Sequence, residues 1–498
     1  MPLRVTSSRP GRGRLVTAQP GRLRAIRGAL QGGCRGAQEA VAAGPARGGH
    51  AAPHLARGDA HGGRVAGRRP SRTGITRGPA TSGGRRTLRA GSRASIPRRV
   101  NILVHKYGGT SVNGPERIRA VARRIAEARA AGHAMVVVVS AMGDTTDDLI
   151  ALARQVSPQP SRREMDMLLS TGERVSMALL AMALHDLGVQ AISFTGSQSG
   201  ILTDEAHSNA RIVGVKPDRI RAALDASKVV IVAGFQGVSP VTKEITTLGR
   251  GGSDTSAVAL AAALGRARCE IFTDVDGVFT ADPRVAPAAR LVPRLGYRAC
   301  SALAHLGGRV LHARCVDLAA RERVPLAVRS SFRDTPGTEI AEDLVEAPRV
   351  EAVTHRADVS LAIAEGNAGG KGEARGILES VSEQFPALEL VAHEQATATH
   401  GALVWMGTKD DVLELQSRFR DVRGPGGEWR LEVVHDAAFV SLIGLGLGAP
   451  EAARAERALE KAGVPLVALR VTAAALVFRV ENARVNDAVR ALHGEFIA

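Results

Sequence analysis

ILVHKYGGTSVNGPERIRAVARRIAEARAAG, residues 102–132, is the stretch from which the fold is read. Ile102 to Tyr107 is a short apolar run of the kind that forms a buried strand, Gly108-Gly109-Thr110-Ser111 reads as a tight turn, and Pro115 to Gly132 reads as a helix. Together they predict a strand, a phosphate-type loop and a helix. Two glycines let a backbone approach a phosphate closely, the helix start presents free N–H groups, and Lys106 at the strand end adds a mobile cation for a transferring phosphoryl group. Taken alone, a Gly-Gly turn after a strand is structural more often than functional. It is also not a Walker A loop, because G-x-x-x-x-G-K-[ST] occurs nowhere in the chain.

Further along, Met135 to Ser140 (MVVVVS) reads as a second buried strand, and Val189 to Phe194, Val229 to Ala233 and Glu270 to Thr273 supply more. Helices are expected between them, notably Glu164 to Leu187 and Ser253 to Leu264. Strands alternating with helices predict an α/β domain, residues 100–340, with a mainly parallel sheet covered on both faces. After about Thr338 the rhythm changes. Strand Val359 to Ala364, helix Glu373 to Phe385, strands Leu388 to Ala392 and Ala402 to Met406, and helix Asp410 to Phe419 form a compact βαββα series. A similar order recurs from Phe439 to His493, which predicts a small α+β module used twice over residues 341–498.

A chain of 498 residues, 44% hydrophobic, is long enough for two or three cores. Aromatics make up only 3%, so packing falls to Ala, Val and Leu, which suits helix-on-sheet layers. The net charge of +17 resembles a nucleic-acid-binding signature, yet residues 1–99 hold 21 Arg, no Lys and two acids, a net +19, and the other 399 residues carry −2. That Arg/Gly-rich leader has too little apolar periodicity to offset its ordering entropy and reads as disordered. An organellar transit peptide and a basic nucleic-acid tail are alternatives. The abrupt onset of pattern at Val100 favours spurious upstream translation. Cys34, Cys269, Cys300 and Cys315 show no C-x-x-C spacing, so neither a disulfide framework nor a zinc site is indicated, and a reducing cytoplasm fits. No apolar run is read as approaching the roughly 20 residues of a bilayer span.

Three further stretches carry chemistry. In Thr247-Leu248-Gly249-Arg250-Gly251-Gly252-Ser253-Asp254-Thr255 the glycines permit close backbone contact, Ser253 or Asp254 can cap the following helix, and Arg250 offers a planar fork for a carboxylate. A capped helix explains Ser253 but not an arginine among three glycines. Thr273-Asp274-Val275-Asp276-Gly277-Val278-Phe279-Thr280-Ala281-Asp282-Pro283-Arg284 puts acids just past a strand end, where open α/β sheets bind ligands; they could serve ribose or, through water, magnesium. It lacks the glutamate of a calcium loop. Leu169-Ser170-Thr171-Gly172-Glu173 begins or interrupts a helix, and Ser140 with Asp144-Thr145-Thr146 follows the second strand; each by itself reads as capping before catalysis.

KYGGTS, SAMGDTTD, LSTGE, AGFQG (Ala233 to Gly237), TTLGRGGSDT and TDVDGVFTADPR, in that order and spacing, resemble the amino acid kinase family, and within it the aspartate kinases, from Ile102 to about Ile340. The resemblance implies a three-layer sandwich followed by tandem ACT-like (βαββαβ) domains. It implies transfer of the ATP γ-phosphoryl group to the β-carboxylate of L-aspartate, with Mg2+ as cofactor, in the first step of lysine, threonine and methionine biosynthesis. By position, Lys106, Tyr107, Gly108 and Gly109 match the phosphate site, Ser140 a nucleotide contact, and Thr273, Asp274, Phe279, Thr280, Ala281, Asp282, Pro283 and Arg284 the ribose, adenine and outer phosphates. Aspartate would be gripped by Arg250 at its α-carboxylate and by Glu173 at its ammonium, with Thr146, Phe235 and Ser253 nearby; Asp254 would organise the phosphate-binding groups. Arg309 replaces a usual lysine on the nucleotide side, and Ser197 a usual Trp. In the second ACT-like module Gly448-Ala449-Pro450 stands for Pro-Gly and Val471-Thr472-Ala473 for Ser-Thr-Ser. The resemblance further implies lysine or threonine as effectors, a cytoplasmic homo-oligomer, and neither membrane nor nucleic acid as partner. TDVDG alone would also allow a UMP, glutamate or acetylglutamate kinase of the same fold, but LSTGE and GRGGSDT together with a tandem ACT-like tail favour aspartate. A silent amino-acid sensor would not need Lys106, Arg250, Asp254 and Asp274 together.

Overall fold

The computed structural model describes residues 101–342, 349–367, 373–395, 400–423 and 429–497. The reading of residues 1–99 lies outside them. Strand β1 (Ile102–Tyr107) leads through one turn of 3-10 helix (Gly109–Val112) to α1 (Pro115–Ala130) and β2 (Ala134–Val139). Helices α2 (Thr145–Val156) and α3 (Arg162–Asp186) precede β3 (Ala191–Phe194). Short strands β4 (Ile201–Thr203) and β5 (Ile212–Val215), α4 (Asp218–Asp225), β6 (Val229–Ala233), β7 (Gln236–Val238) and β8 (Ile245–Thr247) follow. Then come α5 (Gly252–Ala263), β9 (Arg268–Thr273), β10 (Arg294–Gly296), α6 (Tyr297–His305), α7 (Ala313–Glu322), β11 (Leu326–Ser330) and β12 (Thr338–Ala341).

Eight of these strands form one sheet in the order β10-β12-β11-β9-β1-β2-β6-β3, parallel throughout except where β11 meets β12. Alternation along the central strands sorts the core into two layers. Leu103, Met135, Val137, Val139 and Ile231 pack beneath α1 and α3, while Val104, Val136, Val138, Val230 and Val232 pack beneath α4 and α5. Because β1 has β2 on one side and β9 on the other, the connections diverge at the carboxyl end of β1, where open sheets leave a crevice. The four short strands β5-β4-β7-β8, which no apolar run announces, make a separate small sheet. Helix α3 is long and apolar enough to cross a bilayer, contrary to the sequence reading. Half of that stretch is nevertheless buried within the protein, with Met177, Leu180 and Leu184 in the sheet-covering core, so it is a core helix.

The C-terminal region holds β13 (Arg349–Asn367), α8 (Glu373–Gln384), β14 (Glu389–Gln395), β15 (His400–Gly407), α9 (Lys409–Arg423), β16 (Arg430–Leu445), α10 (Ala449–Lys461), β17 (Ala468–Thr472), β18 (Ala475–Glu481) and α11 (Val485–Phe496). The expected βαββα elements are present, but they are not two consecutive repeats. All strands join one sheet, β14-β15-β13-β16-β18-β17. The long strands β13 and β16 run through both modules, with breaks in register around Val359 and positive φ at Asp358 and Asp436. The first half of β13 pairs with the part of β16 that pairs β18, so the second module borrows a strand that precedes the first module's helices.

The two regions are stitched by the segment after β9. Val353 N–H of β13 donates to Thr280 O (2.7 Å), Arg290 N–H donates to Thr280 Oγ1 (2.9 Å), and the same hydroxyl pairs with His493 Nε2 of α11 (2.9 Å). Ala281 and Ala286 are buried in the core of Leu447, Val485 and Leu492. Thr280→Val keeps the shape but strands the Arg290 N–H and the imidazole, and is expected to cost about 1–3 kcal/mol. Chemical denaturation of the full chain measures it; a loss below about 0.5 kcal/mol, the scale of an ordinary surface change, would rule out this stitch.

Candidate active site

Lys106 stands one residue from the carboxyl end of β1, opposite Val138 of β2 and Ile271 of β9. Its Nζ lies 2.6 Å from Asp254 Oδ1 in the first turn of α5, and both side chains are only 12% exposed. The loop after β1 is tied on both sides. Gly108 N–H donates to Phe272 O (3.3 Å) and Ser140 N–H to Tyr107 O (3.1 Å). Gly109 passes so close to the segment after β2 that a Cβ would sit 2.9 Å from Ala141 O and 3.1 Å from Gly143 O, so no side chain is tolerated there. Tyr107 is buried against Phe272, ring stacked on ring, and its hydroxyl meets His105 Nδ1 (3.1 Å). Its side chain therefore belongs to the core.

The helix after TTLGRGG is not capped as expected. Its N-cap is Gly251 in the left-handed region (φ 68°), without a side-chain cap, and Ser253 and Asp254 already lie within the first turn. Their side chains are thereby free for other contacts, and Asp254 gains from the positive end of the helix dipole. Gly249 also has positive φ (74°), which leaves Arg250 exposed at the crest of a loop that only glycine can follow. Phe235, in the tight turn between β6 and β7, holds φ of 66° and lies against Gly252, while Gly234 touches Ser253. A strained aromatic residue in that turn marks a site the surrounding fold has fixed.

Glu173 lies in the middle of α3, not at a helix end. Its Oε1 accepts the Ala141 N–H (3.1 Å), and its buried Oε2 has no hydrogen-bond partner. Burial pushes its carboxyl up to about 7, against the pull of backbone N–H donors and of Lys106 nearby. Thr146 is half-buried in the first turn of α2, next to Thr145, whose hydroxyl donates to Met142 O (2.6 Å). Ser140, half-buried just past β2, completes this rim.

On the other flank, β9 ends at Thr273, whose hydroxyl donates to the exposed Asp274 (3.1 Å). Asp276 pairs with Arg333 (2.7 Å) through one oxygen and keeps the other buried and unpartnered. Phe279 is half-buried; Asp282 and Arg284 pair with each other (2.7 Å), and Pro283 is exposed between them. Thr280 and Ala281 point into the C-terminal core instead, and the Thr280 backbone is already bonded, its N–H to Arg290 O (2.8 Å) and its carbonyl to the Val353 N–H, so of the two only the Ala281 backbone is left for a ligand. Arg309 is exposed and lies near His355 with Asp282 and Arg284; burial lowers that imidazole's pKa, with Asp282 opposing and Arg309 and Arg284 reinforcing. Three residues that drew no attention in the sequence support the site: Asp166, buried and bonded to His207, Ser208 and Thr247; His312, packed against Gly251; and Arg314, bonded to Leu248 O. Their only sequence signal was adjacency, since Asp166 precedes LSTGE, and His312 and Arg314 follow Arg309 by three and five residues.

The described residues include no group of three or more His, Cys, Asp or Glu able to hold a metal by themselves. Asp274 and the orphaned oxygen of Asp276 fit the looser mode in which one or two carboxylates and a ligand's phosphates share a magnesium ion.

The model of the amino acid kinase family matches residues 101–330. The aspartokinase of Mycolicibacterium smegmatis is 43% identical over 403 residues, 79% of this chain and 96% of that one. That of Geobacillus stearothermophilus is 57% identical over 245 residues, 49% of this chain and 60% of that one. Among solved structures, Escherichia coli aspartokinase III has the same fold at 24% identity, covering 80% of this chain and all of that one, with TM-scores of 0.65 in complex with aspartate and ADP and 0.61 in complex with lysine and aspartate. An amino acid kinase sheet with the lysine, glycine loop and acids at its carboxyl edge, a C-terminal α+β sheet, and a relative 43% identical over nearly its whole length lead to one assignment: the chain belongs to the aspartokinases of the amino acid kinase family.

Proposed function

We infer that the chain transfers the γ-phosphoryl group of ATP to the β-carboxylate of L-aspartate, giving 4-phospho-L-aspartate, and that the Lys106–Asp254 pair is its reaction centre. The 2.6 Å contact between those groups, with the unpartnered oxygen of Glu173 close by, carries the reading. A carboxylate is already a nucleophile at neutral pH, so no general base is needed, and the task is to bring two anions together. Lys106, held by Asp254, meets the charge on the transferring group, and the N–H group at Gly109 lines its path, with Gly108 tied to Phe272 O beside it. Arg250 takes the α-carboxylate as a planar fork, Glu173 takes the ammonium, and Thr146, Phe235 and Ser253 shape the space between. Thr273, Asp274, Phe279, Ala281, Asp282, Pro283 and Arg284 receive ribose, adenine and outer phosphates with Ser140 and Arg309, Ala281 by backbone alone, while Thr280 holds the segment in place from the C-terminal side. Magnesium, when bound with the nucleotide, would neutralise phosphate charge, held by Asp274 and Asp276 directly or through water.

An ADP-release assay offering aspartate, glutamate and UMP in turn is expected to respond to aspartate, and Lys106→Ala to lower that turnover roughly 100- to 1,000-fold. Near-normal aspartyl phosphate formation by the variant would remove the lysine from the mechanism; a preference for UMP would remove aspartate.

Glu173 must be ionised to pair with an ammonium, and its carboxyl sits at about 7 before ligand arrives. The kcat/KM for aspartate should therefore fall as pH drops through about 7, by up to about tenfold per unit. Glu173→Gln should lower kcat/KM and abolish that inflection. A wild-type profile that stays flat from about pH 6 to about pH 8 would reject the ammonium role.

The C-terminal sheet is read as a feedback sensor for lysine, threonine or both, in a cytoplasmic homo-oligomer. The segment Phe279–Arg284 supports this, because it borders the nucleotide flank and also packs into the C-terminal core. Lysine and threonine, added singly and together, are expected to inhibit at limiting aspartate; rates unchanged by every combination would end the sensor reading.

A further inference from the structure

Arg250 has no stiffness of its own to draw on. Gly249, Gly251 and Gly252 flank it, and glycines lose more freedom on ordering than any other residue, so a loop of this composition must be set from outside. The setting comes from the second residue of α7. Arg314 Nη1 donates to Leu248 O (2.6 Å) and to Asn209 Oδ1 (3.3 Å), and Nη2 donates to Ala210 O (2.9 Å). One planar guanidinium thus joins the peptide just before Gly249 to the turn at 209–210. The Leu248 peptide is gripped on its other side too, its N–H donating to Phe235 O (2.8 Å). Asn209 in turn borders Gly249, where a Cβ would come within 3.2 Å of its Oδ1. Beneath them the buried Asp166 accepts from Thr247 Oγ1 (2.5 Å) and from Ser208 N–H (3.0 Å), which anchors both ends of the brace in α3.

We propose that Arg314 is a positioning residue for aspartate: by fixing the Leu248 carbonyl to the 209–210 turn it pre-sets the Gly249–Gly252 loop and so aims Arg250, without touching substrate itself. This rests on the reading of Arg250 as the α-carboxylate contact. Without the brace the loop would pay its ordering cost each time aspartate binds, while the nucleotide flank on β9 would be unaffected.

Steady-state kinetics of the full chain, with aspartate and ATP varied in turn, test it. Arg314→Ala is expected to raise the aspartate KM about tenfold or more and leave the ATP KM within about twofold. Arg314→Lys, which can keep one bond but not the fork, should fall between, and Asn209→Ala should move the aspartate KM in the same direction by less. If Arg314→Ala does not fold, as judged by circular dichroism and thermal unfolding, the two milder variants carry the comparison. An unchanged aspartate KM in Arg314→Lys and Asn209→Ala, or an ATP KM that rises in step, overturns the inference. Arg250→Ala, measured beside them, separates the two levels. If it leaves the aspartate KM unmoved, the reading of Arg250 falls and this inference with it; if it raises that KM while the Arg314 variants do not, only the inference falls.

Discussion

A lysine and an aspartate in near-contact, mostly out of water, constrain everything around them. Taking either charge out of solvent alone would be costly, so Lys106 and Asp254 require each other, and their 2.6 Å separation requires the strand and helix that carry them to meet in one register. Strand β1 is fixed by parallel pairing on both sides. Helix α5 is buried nearly all round, and its Ala257 and Ala261, in one core with Val104, Val136 and Val138, are small enough to let it lie close against the sheet. The pair then stands at the one edge of the sheet where the connections diverge.

From that point the site is a problem of charge and entropy. On the proposed reading two anions must approach, and the groups that would meet them are the paired lysine, the arginine raised on a glycine loop and the glutamate whose ionisation burial has made difficult. Each answer needs support from farther out. Asp166 spends a fully buried carboxylate on the loops below Arg250, and Arg314 spends its guanidinium on their carbonyls. Polar groups hydrogen-bonded in this way stiffen a site that its glycines would otherwise leave loose.

The C-terminal sheet meets this centre through chemistry more specific than apolar contact. A threonine in the segment after β9 shares its hydroxyl with a histidine of the last helix, and its carbonyl accepts from the first strand of that sheet. Since β13 and β16 run through both small modules, a shift of either module has to pass along shared strands. The segment after β9 and the C-terminal region are in this respect one packed unit.

Local composition was enough for much of this. Val229 to Ala233 is a strand with the bounds its apolar run predicts, Ile102–Tyr107 likewise, and the helices α1, α3 and α5 fall within a few residues of their periodic stretches, because burial on a sheet imposes its pattern on consecutive residues. The glycine loops and the acids after β9 were legible for the same reason: close approach and chain reversal demand particular residues at particular places. What escaped were features decided by partners distant in sequence. The short strands β4, β5, β7 and β8 exist only because they pair with one another; Gly251, not Ser253, ends the loop because His312 packs over it; Thr280 faces α11; and Arg314 finds carbonyls a hundred residues upstream in Ala210. Periodicity and turn chemistry act over a few bonds, so the sequence by itself determined the layers, the loops and the charged groups set on them. Hydrogen bonds and packing between remote segments have no local signature, so only the tertiary structure decided which side chains those groups lean on.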